Sequence, residues 1–227
     1  ELTAALQSLP RAAAHYQALG KLTVGVDASH FAKRYESGVL CLENLTPHQQ
    51  RQLAKCQGSE ASLHITAPAG AGKTFVALHF LLAILEDKTD REKHVLFAVK
   101  NLPLAVFVAK WVARRIDNNR RRKGILKRLH LLFKPFDQPH VLTMVGTNLK
   151  LSHVSRRDSY DLIVIDEAHH IFLDDQLRAA IQSYEGKRQM LLSDVSQGLH
   201  EGLSFPEDLL HVELTEVVRS SKRVVSA

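Results

Sequence analysis

From Leu45 onward, short apolar runs alternate along the chain with longer segments of helical spacing. "SLHITA" (62–67), "HVLFAV" (94–99), "HVLTMV" (140–145), "YDLIVID" (160–166), "RQMLLSD" (188–194) and "LLHVELT" (209–215) read as strands. Between them, residues 73–86, 103–116 (opened by Pro103) and 174–184 (closed by Gly186) read as helices. Near-continuous apolar strands alternating with helices predict an α/β domain whose mostly parallel sheet is covered on both faces. Residues 1–44 follow a different pattern. Leu2, Ala5, Leu6, Leu9, Ala12, Ala13, Tyr16 and Leu19 fall near helical spacing, with a break at Pro10 and an end at Gly20. "KLTVGV" then reads as a short strand. This segment carries no chemistry and is expected to be the tail of a preceding domain or a local cap, with the main domain spanning 45–227.

Apolar residues make up 45% of the 227, enough for a sizeable core. The longest apolar run, Phe75 to Leu85, is broken by His79 and falls short of the ~20 residues that span a bilayer. Two cysteines, Cys41 and Cys56, make no disulfide framework and no CxxC metal pair. Reduced thiols in an intracellular protein, cytoplasmic or nuclear, are the expectation. The chain opens on Glu1 and stops just after Val224 and Val225, and both ends read as cuts in a longer protein. The net charge of +6 permits a polyanionic partner without demanding one. Its distribution says more: between Arg114 and Lys134 there are nine Lys or Arg and one acid, Asp117. This stretch could contact phosphates. It lacks interleaved aromatic residues before Phe133, so it is no stacking platform, and a solvated, partly disordered insertion is the preferred reading.

The sharpest chemical signal is "APAGAGKT", Ala67 to Thr74, between a strand and a helix. A phosphate-binding loop needs inward backbone N–H groups, small residues that let the backbone approach, and a helix N-terminus behind it. Residues Ala69, Gly70, Ala71, Gly72, Lys73 and Thr74 meet those needs. Lys73 supplies charge for the β- and γ-phosphates of ATP, and Thr74 a hydroxyl for Mg2+. Ala67 stands where glycine is commoner. The second signal is "LIVIDEAHHIF", in which an apolar strand ends on Asp166 and Glu167. Asp166 is placed to join the magnesium shell with Thr74, and Glu167 to orient and deprotonate the attacking water. His169 and His170, with Asp174 and Asp175 nearby, also invite a metal reading. No third ligand spacing stands out, and His169 is instead expected to couple the nucleotide site to a neighbouring surface.

Taken together, these motifs resemble the first motor domain of superfamily-one helicases, over roughly residues 45–225, nearest the branch that includes Schlafen-type proteins. The resemblance implies a RecA-like P-loop NTPase fold, three-layer αβα. "LTPHQQ" is similar to the family's opening motif, which places adenine reading on Gln49, with Gln50 the fallback. "VLFAVKNLPLA" resembles the strand and loop that touch single-stranded nucleic acid, with Asn101 at the tip. "LLSDVSQGL" resembles the motif whose glutamine senses the γ-phosphate, here Gln197, with Asp194 before it. "LTEVVRSS" resembles the start of the motif whose arginine approaches the γ-phosphate, here Arg219. Phe75 stands where many relatives carry arginine, and the acidic box reads DEAH rather than DEAQ.

The implied activity is ATP hydrolysis with Mg2+ in a helicase or translocase acting on single-stranded DNA or RNA. A second RecA-like domain is expected in the longer protein, and slow turnover without its arginine. The alternative is a signalling or defence ATPase that uses the same core as a switch. A small-molecule kinase would explain the loop but neither Gln49 nor the Asp194–Gln197 turn.

Overall fold

The computed structural model describes residues 44–87, 92–145, 148–194 and 205–217, which fall in one compact unit, Glu43–Ala227. The helix and strand expected before residue 44 lie outside the described residues, as do Gln197 and Arg219. The elements in chain order are α1 (Pro47–Gln57), β1 (Ser62–Ala67), α2 (Lys73–Glu86), β2 (Val95–Val99), α3 (Leu102–Arg114), α4 (Asn119–Arg128), β3 (Leu129–Phe133), β4 (His140–Val145), β5 (Asn148–His153), β6 (Leu162–Ile165), α5 (Ala168–Phe172), α6 (Asp175–Gln182), β7 (Gln189–Asp194) and β8 (Leu209–Glu213).

The strands form one eight-stranded sheet in the order β5-β4-β3-β2-β6-β7-β1-β8. The pairs from β3 to β8 are all parallel, and the β3–β4 and β4–β5 pairs are antiparallel. Parallel strands buried on both faces need apolar residues at every position, and β2 is buried throughout. Leu96 and Ala98 join one core with Ile163, Ile165, Leu191, Ala168, Ile171 and Phe172 beneath α5 and α6. By strand alternation, Val95, Phe97 and Val99 face the other side, where α3 packs on β2 and β3. Trp111 of α3, fully buried, meets Phe75 of α2 edge-on at 5.7 Å.

The order of the strands positions the site. All six parallel strands point the same way, so their C-terminal ends share one edge of the sheet. β7 lies between β1, which feeds the glycine-rich turn, and β6, which ends at Asp166. Two strand spacings of about 4.8 Å each therefore separate β1 from β6, and the loop after β1 must reach across β7.

The stretch expected to be a solvated, partly disordered insertion is instead ordered, as helix α4 and strand β3. Only Ile125 and Leu126 of α4 are buried, and much of its anchoring is done by arginine. The Arg128 guanidinium donates to Leu85 O at 2.9 Å and Lys93 O at 3.1 Å, closing the C-terminus of α2 and the entry to β2. Arg122 donates to Ile116 O at 2.8 Å, and Arg121 pairs with Glu86 at 3.0 Å. Basic residues were thus hiding a helix, because charge composition obscures an element whose apolar face is two residues wide. Gly124 sits inside this helix, and a Cβ there would meet no atom within 4 Å. Glycine in a helix interior costs ~1 kcal/mol relative to alanine. Gly124→Ala is therefore expected to stabilise the protein by about 0.5–1 kcal/mol, read as a rise in thermal midpoint. A fall would mean that the helix needs glycine at this position.

Candidate active site

The loop from Pro68 to Gly72 joins β1 to α2. Gly70 and Gly72 have φ of 82° and 86°, a region that residues with a Cβ avoid. Ala67, Ala69 and Ala71 are not among the positive-φ residues, so a methyl group is tolerated at each. That is why Ala67, unusual by composition, fits this turn. Gly72 has a second reason to be glycine: a Cβ would lie 2.5 Å from Gln49 Nε2.

Lys73 opens α2 and is buried. Its ammonium donates to Ala67 O at 3.2 Å and lies 3.7 Å from Asp194 Oδ2 at the tip of β7. Next to it, the Thr74 hydroxyl donates to Asp166 Oδ2 at 3.0 Å. The two oxygen donors singled out for magnesium, 92 residues apart in sequence, are thus in contact, and the loop does bridge β7. The other Asp166 oxygen accepts the Glu167 N–H at 3.0 Å. Asp166 is 2% exposed, and its pKa rises from 3.8 to about 6. Burial is the main cause; the Thr74 hydrogen bond opposes it, the Glu167 carboxylate adds to it and Lys73 opposes it. A hard cation surrounded by carboxylate and hydroxyl oxygens is the partner such a site suits.

Glu167 has φ 55° and ψ 42°, a left-handed conformation that costs a non-glycine residue roughly 1–2 kcal/mol. Its carboxylate is about one third exposed, where water can reach it. His169 holds it there. The imidazole, 1% exposed, accepts the Asp194 N–H at Nδ1 (3.3 Å), so its proton sits on Nε2, 3.2 Å from Glu167 Oε2. Glu167, His169 and His170 do converge, with potential ligand atoms within 4.8 Å of one another. A metal on Nε2 would need the tautomer that clashes with the Asp194 N–H. Asp174, one of the two aspartates considered from sequence, caps α6 by accepting from Gln176 N and Leu177 N.

Gln49 is 3% exposed and committed at both ends of its amide. Nε2 donates to Ala71 O at 2.9 Å in the phosphate loop, and Oε1 accepts from Thr46 N at 3.0 Å, completing a capping box with the Thr46 hydroxyl. Gln50 donates to Leu45 O at 3.0 Å. In this structure Gln49 therefore supports the loop. Asn101 is exposed at the tip of β2 and caps α3 by accepting from Leu104 N at 3.1 Å.

Two features escaped sequence reasoning. One is the position of Asp194 between Lys73 and His169, which depends on the strand order. The other is His64 in β1, bonded to Ser193 of β7 at 2.9 Å and held near pKa 4 by burial. A histidine inside an otherwise apolar strand was the only available signal. Cys56 is a buried free thiol, its pKa pushed up to about 11 by burial. Among the described residues, no helix is long and apolar enough to cross a membrane.

A glycine-rich turn and an acidic strand tip, sharing the C-terminal edge of a mostly parallel sheet with one strand between them, define a RecA-like P-loop NTPase domain. The chain belongs to the family described as type III restriction enzyme, res subunit, whose model matches residues 42–193, about two thirds of its length. Among solved structures it is similar to the Pif1 helicase from Candida albicans, at 13% identity and TM-score 0.43, over 82% of this chain and 43% of that one. It is also similar to the HK97 bacteriophage large terminase, at 14% identity and TM-score 0.42, over 66% and 33%. A third is the ATPase domain of the Thermus phage P74-26 large terminase, at 10% and 0.39, over 78% and 83%. The chain thus spans less than half the length of the Pif1 helicase it resembles. No curated protein matches it.

Asp166 binds more protons in the folded than in the unfolded chain between pH 4 and 6. Its protonation therefore favours the nucleotide-free fold at low pH, and that contribution is lost as pH rises through about 6. Asp166→Asn is expected to raise nucleotide-free stability at pH 7.5 by up to ~3 kcal/mol and to flatten the pH dependence between 4 and 6. Denaturant titration across that range checks it.

Gln49→Ala removes a buried hydrogen bond to the loop, worth about 1–1.5 kcal/mol. It should weaken ATP and GTP binding alike, by roughly tenfold, leaving their ratio unchanged in competition titrations. A loss confined to ATP would return Gln49 to base reading.

Proposed function

We propose that this chain is the first motor domain of a superfamily-one DNA or RNA helicase or translocase, hydrolysing ATP by in-line attack of water on the γ-phosphate. The observation that carries this reading is the 3.0 Å contact between Thr74 and Asp166, flanked by Lys73 and Glu167. The N–H groups of residues 69–74 face the β-phosphate, and the Lys73 ammonium exchanges Ala67 O and Asp194 for phosphate oxygens. Thr74 Oγ1 and Asp166 would hold Mg2+, which would supply positive charge against the phosphates. Glu167, fixed by its backbone corner and by His169, orients the water and accepts its proton. The same imidazole meets Asp194 N, so the position of the catalytic carboxylate and the end of β7 are linked.

Gln197 and Arg219 complete the reading as reporters of the γ-phosphate. They follow β7 and β8, whose described ends lie beside the site. A second RecA-like domain in the full-length protein supplies the transition-state arginine, and single-stranded nucleic acid is the polymer that stimulates turnover.

Lys73→Ala is expected to weaken ATP binding by at least tenfold and abolish turnover. Glu167→Gln should bind ATP normally while hydrolysis falls by about 10²–10⁴, the usual share of a general base. Equilibrium binding of a fluorescent ATP analogue and phosphate release, with and without single-stranded DNA or RNA in the full-length protein, measure both. An unchanged rate in Glu167→Gln overturns the role of Glu167. Turnover indifferent to either polymer would favour the signalling or defence switch instead.

A further inference from the structure

The cations of α4 fall into two sets. Arg121, Arg122 and Arg128 are spent on the protein itself, on Glu86, Ile116 O, Leu85 O and Lys93 O. Arg120, Lys123 and Lys127 are exposed, and no carboxylate lies within ion-pair distance of them among the described residues. Their spacing of three and four residues puts them on one stripe of the helix, with Gly124 between them.

This stripe lies far from the nucleotide. α4 runs directly into the N-terminal end of β3, and Arg128 grips the C-terminus of α2, whose 14 residues carry the chain about 21 Å from the phosphate loop. Here the sequence makes two choices that weaken the helix. Three consecutive arginines stand in the first turn, against the positive end of the helix dipole. Gly124 occupies an open, exposed position where a side chain would meet nothing. A row of cations interrupted by a bare backbone position gives a flat strip that a phosphate chain can approach closely. Its length fits as well: Arg120 to Lys127 spans about 10 Å along the helix, three nucleotides of one strand at about 3.4 Å each.

We propose that the outer face of α4 binds the phosphodiester backbone of nucleic acid, on the edge of the sheet opposite the ATP site. The proposal draws on the motor-domain reading only in choosing nucleic acid as the polyanion. It adds a second point of attachment, independent of sequence, that holds the polymer without touching the catalytic residues.

The test uses the full chain carrying Arg120→Glu, Lys123→Glu and Lys127→Glu together. Anisotropy of a labelled 30-nucleotide single strand and of a 30-base-pair duplex is followed over a series of KCl concentrations. Loss of three phosphate contacts is expected to lower the slope of log affinity against log salt by about 2–3. It should also weaken binding at least tenfold at low salt, with ATP turnover in the absence of polymer unchanged. Whichever probe shows the larger change identifies single strand or duplex as the occupant. Gly124→Leu serves as a second variant that alters no charge: it should raise the thermal midpoint and weaken binding at least threefold. An unchanged slope for both probes in the triple variant overturns the proposal, as does polyglutamate of equal charge competing as well as nucleic acid. If wild-type turnover ignores nucleic acid while the slope still changes, the motor reading falls and this surface stands. If turnover is stimulated and the slope is unchanged, this surface alone falls.

Discussion

The hydrogen bond between Thr74 and Asp166 requires two parts of the chain that are built separately to arrive within 3.0 Å of each other. One is the end of a loop whose shape depends on two left-handed glycines. The other is the end of a strand two positions away in the sheet. Neither could satisfy this contact alone, and β7 between them fixes the gap that the loop has to cross. Burial of Asp166 makes the contact consequential. A carboxylate with 2% of its surface exposed is costly to ionise, and the hydroxyl beside it is the nearest compensation in the protein itself.

Around this contact the charges are balanced internally. Lys73 leans on Asp194, Asp166 on Thr74, and Glu167 on His169, so each group that would meet nucleotide or metal already has a partner inside the fold. Such a site is preorganised, because its groups exchange one partner for another and are not drawn out of solvent. The exchange is also directional. His169 joins Glu167 to the backbone of Asp194, and Asp194 joins that backbone to Lys73. A change at the Glu167 carboxylate is therefore felt at the end of β7.

Much of this was legible in the residues. The turn "APAGAGKT" and the corner at Asp166–Glu167 stand out in the sequence because each gathers distinctive residue types, small residues with a lysine or paired carboxylates, into a few consecutive positions. The alternation of apolar strands with helices was equally plain, since a parallel sheet buried on both faces leaves few polar residues to blur it. What stayed hidden depended on partners distant in sequence. Strand β3 and helix α4 were submerged in basic residues whose anchoring role appears only once Leu85 O and Lys93 O are beside Arg128. The role of Asp194 required the strand order. Gln49 was read as a base reader by resemblance, whereas its contact with Ala71 O depends on how α1 packs against the loop. His64, buried between β1 and β7, had no local context to give it meaning.

The path of the chain after β8 has a mechanical consequence. Leu214 N bonds to Thr66 O in the strand that feeds the phosphate loop, Thr215 N bonds to His48, and the Thr46 hydroxyl meets Glu216. The segment after β8 is therefore laced to the first turn of α1. That turn is the one Gln49 clasps to the glycine hairpin. Tension carried by residues 214–216 enters through those bonds, so it reaches the glycine-rich turn by way of Gln49 and Ala71 O.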